Sequence, residues 1–428
     1  MNLFKSISVY TVSNLSKNAV GFLLLPIITT YLDTGENGDL STITSIVLML
    51  TPFILWAAHG AVNLEYFRQD QGAKNFPSFV SSALLPPTLV TLVCTFLLVI
   101  TAPWLSSWLD ISKKWILLIP LLCIINVIPN FTSVIFQAKK KPIHHAAYNI
   151  GLTTVDLLLA ILLIVGFSLN WEGRLWALLA SKAAFSIIGF YLLWRSGLIK
   201  KSIEKKYVKE VFFYGLPLIP HVLATGVMDL SDRLFIREMV SKDELGVYDI
   251  GYKIGSILLI VQASLFMAWT PFFYEKMKAI NDWNKTYIVT VSYFFMLGLI
   301  LCCILLTLGA PIIFWFLGKD FVGGIQYVFW VALAYVFLGF YKLFAGFIFY
   351  EKKNKILSYI AIFNVIVNLI LNYFLIKEYG AMGAAYATVI SYFLFFVITA
   401  IISYRMHPMP WLKFGEIFKF MKKKYYPE

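Results

Sequence analysis

Apolar runs of about 20 residues or more follow one another along nearly the whole chain, each long enough to cross roughly 30 Å of hydrocarbon as a helix. In lipid every backbone amide and carbonyl needs a partner within the protein, so only helices and closed barrels can span. A barrel strand reads as about ten residues of alternating polarity. The runs here are solidly apolar, and the chain is expected to be an all-α polytopic membrane protein. Composition agrees: 60% of the 428 residues are hydrophobic and 14% are charged, against about 25% charged in a soluble domain. The four cysteines (Cys94, Cys123, Cys302 and Cys303) all lie in apolar runs. They read as small buried hydrophobes without disulfide or metal spacing.

Hydropathy and loop signals place twelve spans near 6–32, 38–62, 78–108, 115–137, 146–168, 173–195, 210–236, 244–274, 287–317, 325–350, 356–376 and 382–404. With the N-terminus inside, 24 Lys and Arg fall on the inner side and 7 on the outer side. Five more (Lys17, Lys182, Arg233, Lys253 and Lys342) lie within spans. That bias predicts cytoplasmic termini. It also accounts for the net charge of +13 without nucleic acid as a partner.

The chain repeats itself. Glu36 and Gly38 of YLDTGENG match Glu244 and Gly246 of MVSKDELG, both displaced by 208 residues. Gly173-Arg-Leu-Trp-Ala177 matches Gly383-Ala-Ala-Tyr-Ala387, displaced by 210. Six spans per half is an even number, so the halves share one orientation, a parallel repeat about an axis along the membrane normal. The expected domains are a six-helix lobe over 1–195, a basic cytoplasmic linker over 196–209, a second six-helix lobe over 210–404, and a basic amphipathic tail over 405–428. Trp411, Phe414, Phe418 and Met421 of that tail read as an anchor on anionic lipid.

Ionisable groups inside a bilayer are functional candidates because each costs a few kcal/mol to insert. Lys17, Asp156, Lys182 and His221 fall near the centres of their spans, and Lys342 lies somewhat off centre. Three ammonium groups against one carboxylate predict a cavity of positive potential that favours an anionic solute. The competing expectation is that each cation pairs with Asp156 or a carbonyl and holds helices together. The first half of span 1 is polar almost throughout, so Asn14, Lys17 and Asn18 need water, substrate or partner helices. Asn364, Asn368 and Asn372 form one helical stripe in span 11, readable as interhelical glue or as a surface for sugar hydroxyls. Asp229, Asp232 and Arg233 share with His221 an arc of about 120° on span 7. Asp229 and Arg233 can pair at i, i+4, as can Asp249 and Lys253 in span 8. These five charges, with Asp156, are the candidates for ion coupling or for an outer gate between spans 7 and 8. The competing reading of the cluster is a static brace.

No metal-ligand cluster, Gly-rich phosphate loop or paired acidic motif in a sizeable loop is present. The sequence predicts neither an enzyme nor a cofactor.

With the Asp232-Arg233 pair, GVYDIGYKIG after it and GAMGAAYAT later, the chain resembles the Wzx-type polysaccharide or O-antigen flippases. These belong to the multidrug/oligosaccharidyl-lipid/polysaccharide (MOP) exporter superfamily. The resemblance covers essentially the whole chain and assigns Asp232, Arg233, Gly246 and Gly383 to family-like positions. It implies a twelve-helix, two-lobed, V-shaped fold like that of the superfamily's MATE multidrug exporters. It also implies translocation of an undecaprenyl-diphosphate-linked oligosaccharide across a bacterial inner membrane. Implied partners are membrane lipids, a polysaccharide polymerase and a chain-length regulator. Two rival functions remain: an ion-coupled multidrug exporter, which predicts an anionic cavity, and an integral-membrane polymerase or glycosyltransferase, which predicts a large catalytic external loop.

Overall fold

Helix starts in this chain carry their own signals. Asp33 caps helix Thr34–Leu55: its carboxylate accepts from the Glu36 amide at 2.7 Å, and the Glu36 side chain accepts from the Asp33 amide at 3.2 Å. This is a capping box. At the repeat-related position Ser241 accepts from the Glu244 amide at 3.0 Å and opens helix Lys242–Gly255. The two segments that match in sequence therefore both begin a helix with a side-chain cap.

The computed structural model describes residues 22–68, 75–139, 141–200, 202–216, 219–278, 280–351, 353–411 and 413, with backbone alone for 220–225, 229, 264, 267, 268, 271 and 354. All regular structure among them is helical. In chain order the helices are α1 (Leu25–Tyr31), α2 (Thr34–Leu55), α3 (Ala58–Arg68), α4 (Phe76–Ser82), α5 (Leu85–Leu109), α6 (Lys113–Ile124), α7 (Val127–Ala138), α8 (Pro142–Ile161) and α9 (Asn170–Arg195). They continue as α10 (Lys205–Gly215), α11 (Ile219–Met239), α12 (Lys242–Gly255), α13 (Ile257–Lys278), α14 (Asp282–Trp315), α15 (Ile325–Tyr350), α16 (Asn354–Tyr379) and α17 (Ala381–Met406).

Each expected span from the second to the twelfth coincides with one helix or two consecutive ones. The first lies mostly outside the described residues. Among the described residues nine segments are long and apolar enough to cross a bilayer. Their outward faces are apolar too. On α5, Leu92, Phe96, Ile100 and Trp104 recur every four residues and are each more than half exposed, a stripe suited to lipid rather than water.

Two features depart from the hydropathy reading. Span 2 is broken at Trp56 and Ala57, both with positive φ (51° and 50°), an uncommon conformation for non-glycine residues. The Trp56 indole holds the break, donating to the Phe212 carbonyl at 2.9 Å and stacking on the Phe212 ring at 4.7 Å. The linker, expected as a solvated loop, is docked. Lys200 and Glu204 donate their backbone amides to Ser81 and Ser82. Tyr207 and Val211 of α10 are buried in a core with Val62, Phe79 and Val80. Apolar residues four apart give the basic segment a face that prefers the protein to water.

The chain divides into two compact units, Met1–Gly246 and Val247–Glu428. This boundary falls beyond the expected linker because α11 packs along α2 and so belongs with the first unit. In that unit α9 packs on α7 and α8, and α6 packs on α2. In the second unit α15 is central, packed on α13, α14 and α17, and α17 also carries α16.

Candidate functional site: a polar cavity and a buried arginine seam

Three helices of the first unit turn polar stripes toward one another. Asn126, Asn130 and Ser133 follow at i, i+4 and i+7 along the start of α7. Asn149, Thr153 and Asp156 follow the same spacing on α8, and Arg174, Leu178 and Lys182 lie four apart on α9. Helical period puts each set on one face, and together they line a cavity of about 350 Å³.

Asp156 is held at its wall. Arg174 meets it bidentately at 2.8 and 2.9 Å, and the Ser181 hydroxyl donates to it at 3.1 Å. A bidentate guanidinium–carboxylate pair is among the strongest side-chain contacts. The amide nitrogens of Asn126, Asn130 and Asn149 donate to the carbonyls of Leu122, Asn126 and His145. Ser133 donates to Asn149 Oδ1 at 2.9 Å. The Asn126 and Asn130 side-chain oxygens remain as acceptors. Among the described residues no hydrogen bond or ion pair reaches Lys182 Nζ. The acid–arginine pair is neutral as a unit, so among the described lining residues a protonated Lys182 is the source of net positive charge. Asp156 is thus paired between α8 and α9, and its partner is Arg174.

A second constellation joins α2 to α11. Arg237 forms an ion pair with Asp39 at 2.7 Å, donates to Thr42 at 3.2 Å, and also donates to the Leu109 carbonyl at the end of α5. One turn earlier Arg233 Nε donates to Ser41 at 3.3 Å. Arg233, Arg237 and Asp39 are all less than a tenth exposed, and Asp232 is buried beside them in sequence. Beyond the seam Thr34 donates to Asp243 at 2.7 Å, and Asn37 donates to the Gly246 carbonyl at 2.8 Å. The repeat-related glycines make this approach possible. A Cβ on Gly246 would collide with the Thr34 carbonyl, and one on Gly38 would collide with the Lys242 carbonyl.

The seam adds contacts on α2 to the charges expected to cluster between spans 7 and 8. Arg233 donates to Ser41 and Arg237 to Thr42, acceptors on α2 that helical periodicity within span 7 cannot reveal. Asp249 and Lys253 do pair, at 2.6 Å, within α12. Arg174 and Arg237 escaped the sequence reading, which counted both among loop residues at span ends. The signal that could have found them is the acid opposite each, since a carboxylate buried among helices needs a cation or several donors.

Lys342 of the second unit donates to Gln262 Oε1 at 2.9 Å, and the Gln262 amide in turn donates to the Tyr335 carbonyl. In the asparagine stripe Asn372 donates to Asn368 at 3.2 Å, and Asn368 donates across to Ser391 of α17 at 3.3 Å. Both asparagines are fully buried and Asn364 nearly so. Through Asn368 these bonds join α16 to α17, as interhelical glue would. Trp56 and Trp269 are packed within the protein, 6% and 3% exposed. Asn14, Lys17 and Asn18 lie outside the described residues, as do the side chains of His221 and Asp229.

Residues 3–277 match the profile of the polysaccharide biosynthesis protein family. "Lsg locus putative protein 1" of Haemophilus influenzae is 25% identical over 375 residues, covering 86% of this chain and 90% of the relative. An "uncharacterized membrane protein" of the same organism is 26% identical over 403 residues, covering 92% of each. Among solved structures, an inward-facing multidrug resistance MATE family transporter of the MOP superfamily superposes with a TM-score of 0.69. It is 12% identical, and the match covers 96% of both chains. An outward-facing multidrug resistance MATE family transporter of the same superfamily gives a TM-score of 0.60 at 14% identity, covering 97% of this chain and 94% of the other. The chain is a multi-pass membrane protein of the polysaccharide biosynthesis family, built on the transporter fold of the MOP superfamily.

Proposed function

We propose that the protein is a flippase for an undecaprenyl-diphosphate-linked oligosaccharide, the repeat unit of an O-antigen or related surface polysaccharide. The substrate passes from the cytoplasmic to the periplasmic leaflet of a bacterial inner membrane, with both protein termini in the cytoplasm. The carrying observation is the cavity around Lys182. An ammonium with no hydrogen-bond partner among the described residues attracts a phosphate oxyanion, and the surrounding amide and hydroxyl oxygens accept from sugar hydroxyls. Lys17 and His221 are assigned to the same headgroup-binding role, and Lys342 to the phosphate. Transport proceeds by alternating access, coupled to an ion. The arginine seam between α2 and α11, with Asp229 and Asp232, serves as the outer closure.

A cationic drug is the rival cargo suggested by the multidrug neighbours in fold. The charge of the cavity opposes it, because like charges repel strongly where water is scarce. Deletion in the native bacterium separates the readings. Loss of surface polysaccharide with accumulation of lipid-linked repeat units supports the flippase. Unchanged lipid-linked glycans together with normal surface polysaccharide overturn it.

A further inference from the structure

The second unit holds a pocket of quite different chemistry. Phe266, Trp269 and Phe273 of α13 face Tyr341, Lys342 and Phe349 of α15 across a cavity of about 370 Å³. Of its lining residues Trp269 and Phe273 are almost fully buried, while Phe349 and Tyr274 are 47% and 39% exposed. Among the described residues Lys342 is the one charged group in the lining. Its ammonium lies 5.7 Å from the Phe266 ring centre and makes one hydrogen bond among the described residues, to Gln262. An ammonium has three donors, so two remain for a ligand.

Such a pocket selects its ligand by two requirements. The remaining donors of Lys342 call for an anionic oxygen. The aromatic walls call for hydrocarbon, because a sugar placed there would leave hydroxyls without partners. We propose that this pocket binds the phosphate–isoprenoid junction of the carrier lipid, with a phosphate oxygen on Lys342 and the first isoprene units against the rings of α13 and α15. The chain would leave past Phe349 and Tyr274 into the bilayer. This inference rests on the flippase reading and deepens it, assigning the carrier lipid a contact separate from the asparagine-lined cavity.

The test uses the purified full chain in detergent, with binding of undecaprenyl phosphate measured by thermophoresis. Lys342→Met is expected to weaken binding tenfold or more, as loss of a charge-assisted hydrogen bond does. Gly346→Leu fills the same pocket without removing the ammonium and is expected to weaken binding by a similar factor. Gly346→Ala is the control, since its Cβ would only reach ordinary contact with Phe273 at 3.4 Å. Undecaprenol, phosphatidylglycerol and inorganic phosphate should each compete at least tenfold less well. The proposal is overturned if Gly346→Leu, folded by its unfolding midpoint, retains wild-type affinity. Equal competition by phosphatidylglycerol assigns the pocket to ordinary phospholipid and also overturns it, as does equal competition by inorganic phosphate. Binding is read on purified protein and the glycan phenotype in cells, so failure of the pocket and failure of the flippase assignment are separate results.

Discussion

Replacing Arg237 by methionine removes a guanidinium that binds Asp39, Thr42 and the Leu109 carbonyl, from a position 9% exposed. Methionine roughly preserves the side-chain length and most of the packing, so the dominant effect is electrostatic. Asp39, 8% exposed, loses its ion-pair partner. Removing one partner of a buried ion pair costs about 3–5 kcal/mol, a large share of the roughly 5–15 kcal/mol that holds a typical protein folded. Asp39→Asn should restore part of that loss, because a neutral amide no longer requires the cation. The assay is reversible denaturation of the purified protein in detergent for wild type, both single variants and the double variant. A favourable coupling of at least about 1 kcal/mol is expected, within the range for residues in direct contact. Additivity within about 0.5 kcal/mol would refute the pairing and the stability role derived from it.

Lys17→Ala should abolish surface polysaccharide at unchanged protein level while Lys17→Arg retains part of the activity, scored by complementation of a deletion strain. Normal transport by Lys17→Ala would remove the phosphate-attracting role from span 1. Reporter fusions after Lys141, Lys201 and Lys353 should report cytoplasm, and those near Asn37, Lys242 and Lys319 periplasm; one inversion in the series breaks the parallel repeat. If the seam is a closure, Arg233→Ala should raise periplasmic labelling of a single cysteine placed at position 221. Unchanged labelling with lowered stability would make it a brace.

Much of the fold is legible because lipid leaves a chain few options. An apolar run of sufficient length must be a helix, and α2 to α17 follow the expected spans closely. Breaks within spans are less legible. The left-handed Trp56 depends on the Phe212 carbonyl, supplied by a helix 156 residues away in sequence. The site divides in the same way. Asp156 and Lys182 stand out as charges amid apolar residues, and their placement on facing stripes follows from the helical period. Arg174 and Arg237 do not stand out, because hydropathy assigns residues at span ends to loops. A guanidinium on a long flexible stem can nevertheless turn inward by a helical turn or more. Asp39 and Arg237 lie 198 residues apart, a pairing that no local pattern contains. The asparagine stripe shows the converse limit. Its period is plain from the sequence, but its role depends on Ser391 in the helix beside it.

Reconstitution shows directly whether the Lys182 cavity serves translocation of a lipid-linked glycan. Purified protein is placed in vesicles carrying a lipid-linked oligosaccharide in both leaflets, and an impermeant glycosidase is added outside. Active protein should expose nearly all of the substrate to the enzyme, whereas protein-free vesicles and vesicles with folded Lys182→Met should expose only the outer-leaflet half. Complete cleavage with Lys182→Met at the wild-type rate, or no cleavage beyond the outer leaflet with wild type, would contradict that role.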